Sequence, residues 1–172
     1  SRRRFMWDRG LGPPTTPLAM DTTVPLNNGV RMPVLGIGVW QMPRGRATRD
    51  AVLHAFRTGY RLVDTARIYG NEEDVGEAVR ASGLPREEIF VTTKLWNSDH
   101  GREETLRACD ASLHRLRTMR VDLYLVHWPV QQVRRETWRA MERILADGKA
   151  RAIGGSNYTV RHLQELLGYA KE

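Results

Sequence analysis

Four residues with acid, base or hydrogen-bonding side chains lie at the ends of short apolar stretches or just beyond them. They are Asp64 and Tyr69 in VDTARIYG, Lys94 in FVTTK and His127 in LYLVH. An ammonium between a carboxylate and a phenol would be held in place and would stabilise the anion left when the phenol gives up its proton. An imidazole nearby could hydrogen-bond the same substrate oxygen. We therefore predict general acid chemistry on a carbonyl group, with Tyr69 as the proton donor.

Each of these residues also has an ordinary structural interpretation. A single histidine after an apolar strand, such as His127, is more often structural than catalytic, and Tyr69 alone could be an aromatic residue of the core or surface. Lys94 is harder to explain in that way, because only three of the 27 Lys and Arg residues are Lys. A compact ammonium can sit against one phenol, whereas a guanidinium is planar and forked. The lysine therefore favours the chemical interpretation.

Reduction of a carbonyl also needs a hydride, which no amino-acid side chain supplies, so we predict a nicotinamide cofactor. Ser156 and Asn157 follow the stretch ARAIGG and offer a hydroxyl and an amide that suit the carboxamide of such a cofactor. An alternative is that this pair caps the amino end of the helix that follows. Both interpretations can hold together.

The elements that would hold these residues repeat along the chain. Five apolar stretches follow one another at intervals of 27 to 33 residues and begin near Val34, Arg61, Ile89, Asp122 and Ala150. The segments between them have apolar residues at helical spacing. Because the stretches are nearly continuous in apolar character, they predict a parallel sheet that is covered on both faces.

Two α/β architectures fit such repeats, a doubly wound open sheet and a (β/α)8 barrel. The loop GIGVWQMPRG contains Gly36 and Gly38 but lacks the third glycine of a dinucleotide-binding fingerprint. Functional residues that follow several different strands are typical of a barrel, whose site lies at the carboxyl ends of its strands. Ahead of the first strand, Asn28-Gly29 between extended runs predicts a β-hairpin.

The chain resembles the aldo-keto reductase family in five segments, which follow one another in the family's order from Val24 to Tyr158. These segments are VPLNNGVRMPVLGIGVWQ, GYRLVDTARIYGNE, VTTKLWNSD, DLYLVHWP and GKARAIGGSNY. The resemblance implies an α/β fold of the (β/α)8 TIM-barrel type, here with about the first five βα units and an amino-terminal hairpin over the barrel's bottom. It also implies NADPH-dependent reduction of aldehydes and ketones to alcohols.

The resemblance also implies roles for individual residues. The implied catalytic residues are Asp64, Tyr69, Lys94 and His127. The implied cofactor-binding residues are Gly38, Val39, Trp40, Asp64, Ser156 and Asn157. The implied substrate pocket consists of Trp40, Trp96, His127 and Trp128, with core packing as an alternative for the three tryptophans. Two positions depart from the family pattern, since Val39 replaces a threonine that many members have and Gly155 replaces a common valine.

The first 19 residues differ in character from the rest of the chain. They are rich in Arg, Gly and Pro and show no periodicity, whereas the sequence from Met20 onward has the pattern of a folded protein. We interpret residues 1–19 as a disordered or non-native extension and residues 20–172 as part of a barrel domain. The chain by itself is expected to be a poor enzyme. The alternative functions are a non-catalytic regulatory or interaction module of the same family and an inactive truncated form.

Composition narrows the remaining possibilities. Of the net charge of +7, residues 1–19 contribute +3. The remaining charges are scattered and often paired on predicted helices, which argues against a nucleic-acid-binding surface. No apolar stretch reaches the roughly 18 residues that a membrane span needs. The one cysteine, Cys109, fits a buried position and a reducing compartment. We predict a cytoplasmic protein with a small carbonyl substrate, NADPH as cofactor and no metal ion, and the sequence gives no indication of oligomeric state.

Overall fold

The hairpin, strands and helices follow one another in the order that the sequence predicts. A computed structural model describes residues 18–171, so the predicted amino-terminal extension, apart from its last two residues, lies outside the described part. The strands are β1 (Thr23–Pro25), β2 (Arg31–Pro33), β3 (Ile37–Gly38), β4 (Leu62–Asp64), β5 (Phe90–Leu95), β6 (Val121–Val126) and β7 (Ala150–Gly155). The helices are α1 (Arg46–Arg57), α2 (Glu72–Ala81), α3 (Arg102–Leu116), α4 (Arg134–Ala146) and α5 (Val160–Leu167).

The amino-terminal hairpin forms where Asn28-Gly29 predicts it. Strands β1 and β2 pair in antiparallel orientation. The Leu26 amide donates to the Val30 carbonyl at 2.8 Å, which closes the turn. Gly29 has a φ of 84°, in the left-handed region that glycine adopts without steric cost. The prediction of a hairpin is therefore confirmed.

Strands β3 to β7 form one sheet in chain order, with a helix between each strand and the next. Every neighbouring pair is parallel, so the carboxyl ends of the five strands lie at the same edge. The arrangement is that of five successive βα units of a barrel, as the sequence predicts. Strand β3 begins later than predicted, because the Val34 amide donates to the Thr22 carbonyl beside the hairpin and only Ile37 and Gly38 join the sheet.

One face of the sheet packs against the helices, and we call this apolar core the outer layer. It contains strand residues at alternate positions, such as Val63, Val91 and Tyr124, together with helix residues such as Phe56 and Ile144. Each of these five side chains is almost completely buried. Because side chains of a strand alternate between its two faces, the residues between them point to the opposite side of the sheet.

Helices α2 and α3 lie against each other on the outer side of the sheet. Helices α2 and α3 approach so closely at Gly76 that a Cβ there would overlap the Leu116 carbonyl. Cys109 of α3 lies in the outer layer, and burial raises the pKa of its thiol to about 12. The prediction of a buried cysteine is thereby confirmed.

Within residues 18–171, none of the helices is both long and apolar enough to cross a lipid bilayer.

The opposite face of the sheet, which we call the inner face, carries a smaller apolar cluster. Its buried members come one from each of strands β4 to β7 and are Leu62, Phe90, Leu123 and Ala152. The hairpin and the turn that closes it pack against this cluster through Leu26, Val30 and Met32. The hairpin therefore covers the inner face toward the amino ends of the strands.

Helix α5 corrects one interpretation of the sequence. Its N-cap is Thr159, whose hydroxyl accepts a hydrogen bond from the His162 amide, while the His162 ring accepts from the Thr159 amide at 3.3 Å. Helix caps normally make such bonds to backbone amides of the first turn. The interpretation of Ser156 and Asn157 as the cap is therefore wrong, because the helix begins at Val160 and another residue satisfies its first turn. The pair instead directly follows strand β7, which ends at Gly155.

Candidate active site

Lys94 and Asp64 meet at the carboxyl ends of neighbouring strands. Lys94 lies on the inner face of β5, two residues beyond the Thr92 that pairs with Asp64. Its Nζ atom lies 2.7 Å from each carboxylate oxygen of Asp64 and 2.9 Å from the Thr65 carbonyl oxygen. The Lys94 side chain is only 8% exposed. A buried ammonium is tolerated only when it is paired and hydrogen-bonded, and these contacts satisfy that need.

Tyr69 reaches the same ammonium from the loop that follows β4. A short 3-10 turn, Arg67–Tyr69, ends at Gly70, whose φ of 72° lies in the left-handed region. The Tyr69 hydroxyl lies 3.4 Å from Lys94 Nζ, and the ring centre lies 5.0 Å from it. Lys94 therefore sits between the carboxylate and the phenol, as the sequence predicts. The contact with the phenol is longer than the contacts with Asp64, which hold the ammonium.

His127 follows β6 directly and faces the phenol. Its backbone amide donates to the Leu95 carbonyl at 3.1 Å, which continues the pairing of β6 with β5. The His127 ring lies edge-on to Tyr69 at 5.8 Å and to Trp96 at 5.3 Å between ring centres. The predicted catalytic residues of three strand ends thus gather around one point on the inner face.

The environment of His127 favours its neutral form. Burial, followed by the nearby ammonium of Lys94, lowers the pKa of the imidazole below its ordinary value of 6.5. The Nδ1 atom is buried and has no hydrogen-bond partner among the described residues. A neutral imidazole carries one N–H donor and one acceptor nitrogen. His127 can therefore donate a hydrogen bond to a carbonyl oxygen without carrying a positive charge at neutral pH.

Ser156 and Asn157 lie beside His127 at the end of β7. The Ser156 amide donates to the Val126 carbonyl at 2.8 Å. The Asn157 amide nitrogen Nδ2 donates to the His127 carbonyl at 2.9 Å and to Ser156 Oγ at 3.1 Å. Asn157 has a φ of 60°, a left-handed conformation that asparagine adopts more readily than most residues. The pair is therefore fixed to the histidine and presents a hydroxyl and an amide oxygen at the same edge.

The first-loop residues have different environments. A Cβ on Gly38 would meet no atom within 4 Å, so the backbone there is open to solvent. Val39 is fully buried and its side chain belongs to the outer layer, so neither its side chain nor its backbone is open to a ligand. Its amide donates to the Asp64 carbonyl at 3.0 Å. Trp40, the next residue, is 67% exposed.

The three tryptophans predicted to line a substrate pocket are placed differently. Trp96 is half-buried and contacts the His127 ring. Trp40 and Trp128 are exposed. Core packing, the alternative interpretation, is therefore wrong for Trp40 and Trp128. Exposed tryptophans near a cluster of polar residues are compatible with a binding surface.

Sequence reasoning missed two residues of this region, Thr65 and Asn71, and both are completely buried. Asn71 occupies the N-cap position of α2, yet its side chain makes no cap bond. Its side chain instead contacts both Thr65 and the first loop. An asparagine before EED is typical of an ordinary helix cap, so nothing in the local pattern indicates these contacts.

A parallel sheet of βα units with an amino-terminal hairpin and polar residues at its strand ends defines a protein of the (β/α)8-barrel class. The model of the aldo/keto reductase family matches residues 34–172. The chain therefore belongs to the aldo/keto reductase family.

Relatives with solved structures share the fold. The crystal structure of an aldo/keto reductase from Brucella melitensis matches with a TM-score of 0.84 and 48% identity, over 88% of this chain and 59% of that one. An aldo-keto reductase of Bombyx mori in complex with NADP matches with a TM-score of 0.82 and 34% identity, over 88% of this chain and 55% of that one. The described strands correspond to part of the barrel that these structures form.

Among curated relatives, glyoxal reductase of Bacillus subtilis is 50% identical over 151 residues, which cover 88% of this chain and 55% of the relative. Morphine 6-dehydrogenase of Pseudomonas putida is 52% identical over 144 residues, which cover 83% of this chain and 48% of the relative. The chain thus spans about half the length of the curated relatives it matches.

Proposed function

We propose that the protein that carries this sequence reduces aldehydes or ketones to alcohols with NADPH, and that Tyr69 donates the proton. The observation that carries the proposal is the position of Lys94 Nζ, 2.7 Å from both Asp64 oxygens and 3.4 Å from the Tyr69 hydroxyl. Such an arrangement stabilises a phenolate as the proton leaves, which is what a phenol needs in order to act as a general acid.

The roles divide among the side chains. Tyr69 gives its hydroxyl proton to the substrate oxygen as negative charge develops there. Lys94 stabilises the resulting phenolate through its positive charge, and Asp64 holds the ammonium in position by accepting two hydrogen bonds. Because Lys94 is buried, its charge acts at low dielectric and is screened less than a surface charge would be.

His127 would orient the substrate carbonyl. As a neutral imidazole it can donate one hydrogen bond to the carbonyl oxygen, which draws that oxygen toward Tyr69. The edge contacts of the ring with Tyr69 and Trp96 restrict its rotation. A charged imidazolium is disfavoured by the Lys94 ammonium, whose charge contributes to the lowered pKa. The histidine therefore acts by positioning the oxygen and not by supplying the proton.

The residues at the strand ends also fit a nicotinamide cofactor, which supplies the hydride when bound. Ser156 Oγ and the amide oxygen of Asn157 match the donor and acceptor groups of a carboxamide. The open backbone at Gly38, the exposed ring of Trp40 and the carboxylate of Asp64 would complete the binding set. Val39, which is fully buried, would hold this loop in place through its backbone hydrogen bonds. NADPH is favoured because a relative from Bombyx mori is described in complex with NADP.

The substrate is proposed only as a class. One relative is named a glyoxal reductase and another a morphine 6-dehydrogenase, and glyoxal and morphine differ greatly in size, so we propose a small-molecule carbonyl compound without naming a particular one. Trp96, with the exposed Trp40 and Trp128, would form the apolar side of its binding surface. We further propose a cytoplasmic location, residues 20–172 as part of a barrel domain and residues 1–19 as an extension of it.

A tyrosine substitution tests the proposal. In the protein that carries this sequence, Tyr69→Phe should lower the rate of aldehyde-dependent NADPH oxidation by about 10²- to 10⁴-fold, because the proton donor is lost. NADPH binding, followed by fluorescence, should stay within about threefold. Tyr60→Phe, a half-buried tyrosine just before β4, is the matched control and should leave turnover unchanged.

Two outcomes would contradict the proposal. A Tyr69→Phe protein that keeps more than half of the parent's turnover would show that another group supplies the proton. A parent protein that binds NADPH but oxidises none with any aldehyde offered would instead favour the non-catalytic interaction module.

A further inference from the structure

Asn71 connects two loops of the site that the sequence leaves far apart. Its Nδ2 atom donates to the Val39 carbonyl at 2.9 Å and to the Met42 carbonyl at 3.4 Å, both in the first loop. Its Oδ1 atom accepts from the Thr65 hydroxyl at 2.8 Å in the loop after β4. The side chain thus uses both donor hydrogens and one acceptor site, and no solvent reaches it.

Thr65 extends this connection to the ammonium. While its hydroxyl donates to Asn71, its backbone carbonyl accepts from Lys94 Nζ at 2.9 Å. Its amide donates to the Thr92 carbonyl at 2.9 Å, which anchors the residue to β5. A continuous set of hydrogen bonds therefore runs from the Val39 carbonyl through Asn71 and Thr65 to Lys94.

Two further contacts tie the same loops together. Arg44 Nε donates to the Gly70 carbonyl, and the Gly45 amide donates to Asp74 Oδ2 at 2.9 Å. These contacts are partly exposed, whereas the Asn71 side chain is fully buried. A buried polar group whose partner is removed is left unsatisfied, so the buried connection has the larger effect on geometry.

The cap position of Asn71 supports a role outside the helix. An asparagine at an N-cap normally accepts from a backbone amide of the first turn, which Asn71 does not do. The first turn of α2 instead carries three acidic residues, Glu72, Glu73 and Asp74, which interact favourably with the helix dipole. The helix can begin without the cap bond, so the amide is free to serve the loops.

We propose that Asn71 is a positioning residue that couples the first loop, on which the cofactor would lie, to the Lys94 ammonium through Thr65. The expected effect on kcat rests on the proposed function, whereas the coupling of the two loops rests on the hydrogen bonds alone. Asn71 touches neither Lys94 nor Tyr69 in the described contacts and acts through Thr65. Displacements of about 1 Å in such a site can lower a rate roughly 100-fold.

The first test replaces only the hydroxyl that connects the two loops. Thr65→Val removes the bond to Asn71 and keeps the backbone carbonyl that Lys94 uses. Without the bond to Asn71, the Thr65 carbonyl that accepts from Lys94 is held less firmly. We therefore expect kcat with saturating NADPH to fall by at least about 10-fold and the pH dependence of kcat to change. Thr65→Ser restores the hydroxyl and should return kcat to within about threefold of the parent. Asn71→Asp, which cannot donate, should also weaken NADPH binding.

The matched control is Thr137→Val. Thr137 is equally buried and its hydroxyl accepts from the Gly101 amide at 3.0 Å, on helices away from the first two loops. Like Thr65→Val, this substitution removes a buried hydroxyl and lowers the free energy of unfolding, but it leaves the hydrogen bond between Asn71 and Thr65 intact. Its kcat and pH dependence should match those of the parent.

Hydrogen–deuterium exchange of the protein without cofactor gives a readout that does not depend on activity. In Thr65→Val, exchange should rise in residues 38–45 and 64–71 together, whereas in Thr137→Val it should not rise in either segment. If Thr65→Val matches Thr137→Val in both segments, the coupling is refuted. If the parent oxidises no NADPH while exchange responds as expected, the coupling stands and the proposed function fails. An active parent with unchanged kcat in Thr65→Val would refute the positioning role.

Discussion

Along strand β5, Thr93 and Leu95 point into the outer layer, whereas Lys94 between them points to the inner face. Thr93 donates to the buried Glu72 of α2 at 2.6 Å, and Leu95 is packed among apolar side chains. Lys94 instead contacts Asp64 and Tyr69. Neighbouring residues of one strand thus serve two regions with different chemistry. Packing in the outer layer determines where the strands lie. The polar side chains at the carboxyl ends of the inner face are positioned as a result.

This difference leads to an expectation about substitutions. Side chains in the outer layer contribute through burial and packing, so their loss should lower the free energy of unfolding. Side chains at the carboxyl ends of the inner face are polar and hold one another, so their loss should lower turnover with less effect on stability. Substitutions in each region test whether effects on stability and on turnover separate in this way.

The largest effect is expected at Lys94. Lys94→Arg keeps the positive charge, yet a planar guanidinium does not fit between the Asp64 carboxylate and the Tyr69 hydroxyl as a compact ammonium does. We expect kcat to fall by about 100-fold or more, with a melting temperature within a few degrees of the parent's. Steady-state kinetics and calorimetry of one preparation measure both. Unchanged kcat would mean that Lys94 has only a structural role.

The second effect concerns the outer layer. Ile144 of α4 is completely buried, and Ile144→Ala should lower the free energy of unfolding by about 2–5 kcal/mol through lost burial and a cavity. Below the unfolding transition, kcat should stay close to the parent value. Leu163→Ala on the exposed side of α5 is the control, with a much smaller effect on stability. A large loss of kcat in folded Ile144→Ala would contradict the separation of the two regions.

The smallest effect is a pH dependence of stability from His100. Burial lowers the pKa of this histidine from 6.5 to about 4, although Asp99 partly opposes the change, and neither ring nitrogen has a hydrogen-bond partner among the described residues. Between pH 6.5 and 4 the unfolded chain therefore binds a proton that folded His100 does not. Stability should fall as pH decreases through this window, by about 1 kcal/mol once partial exposure is allowed for.

Substitution isolates that contribution. His100→Gln should flatten part of the decline in unfolding free energy between pH 6.5 and 4 and leave stability above pH 7 little changed. His54→Gln, at an exposed position of α1, is the control and should leave the slope unchanged. Equal slopes in the parent and His100→Gln proteins would show that His100 is protonated equally in both states.

The same alternation explains how far the sequence could predict the molecule. Apolar stretches at regular spacing indicated the βα units, and the residue at the end of each stretch indicated the inner face, so Asp64, Lys94 and His127 could be grouped in advance. The start of strand β3 could not be predicted. Val34 belongs to the apolar stretch, but its amide donates to the Thr22 carbonyl beside the hairpin, and a local apolar pattern does not indicate such a contact.

The side-chain partners of Asn71 and of Asn157, which follows β7, could not be predicted either. Sequence context gave the Ser156–Asn157 pair a helix cap as an alternative role and gave Asn71 no role, although a polar residue before a helix is typical of a cap. In each case the side chain instead bonds to a distant segment: Asn71 to Val39, 32 residues away, and Asn157 to the His127 carbonyl, 30 residues away. Side-chain partners at such separations depend on the assembled sheet and leave no periodic signal in one sequence.

The central claim is that Lys94 and Tyr69 act as one chemical unit at the carboxyl ends of the strands. A double-mutant cycle of Lys94→Arg and Tyr69→Phe, with kcat measured by aldehyde-dependent NADPH oxidation at saturating cofactor, tests it most directly. We predict that the double variant loses no more activity than the worse single variant, because either change disables the same proton transfer. Losses that multiply in the double variant would contradict the claim, since the two residues would then act independently.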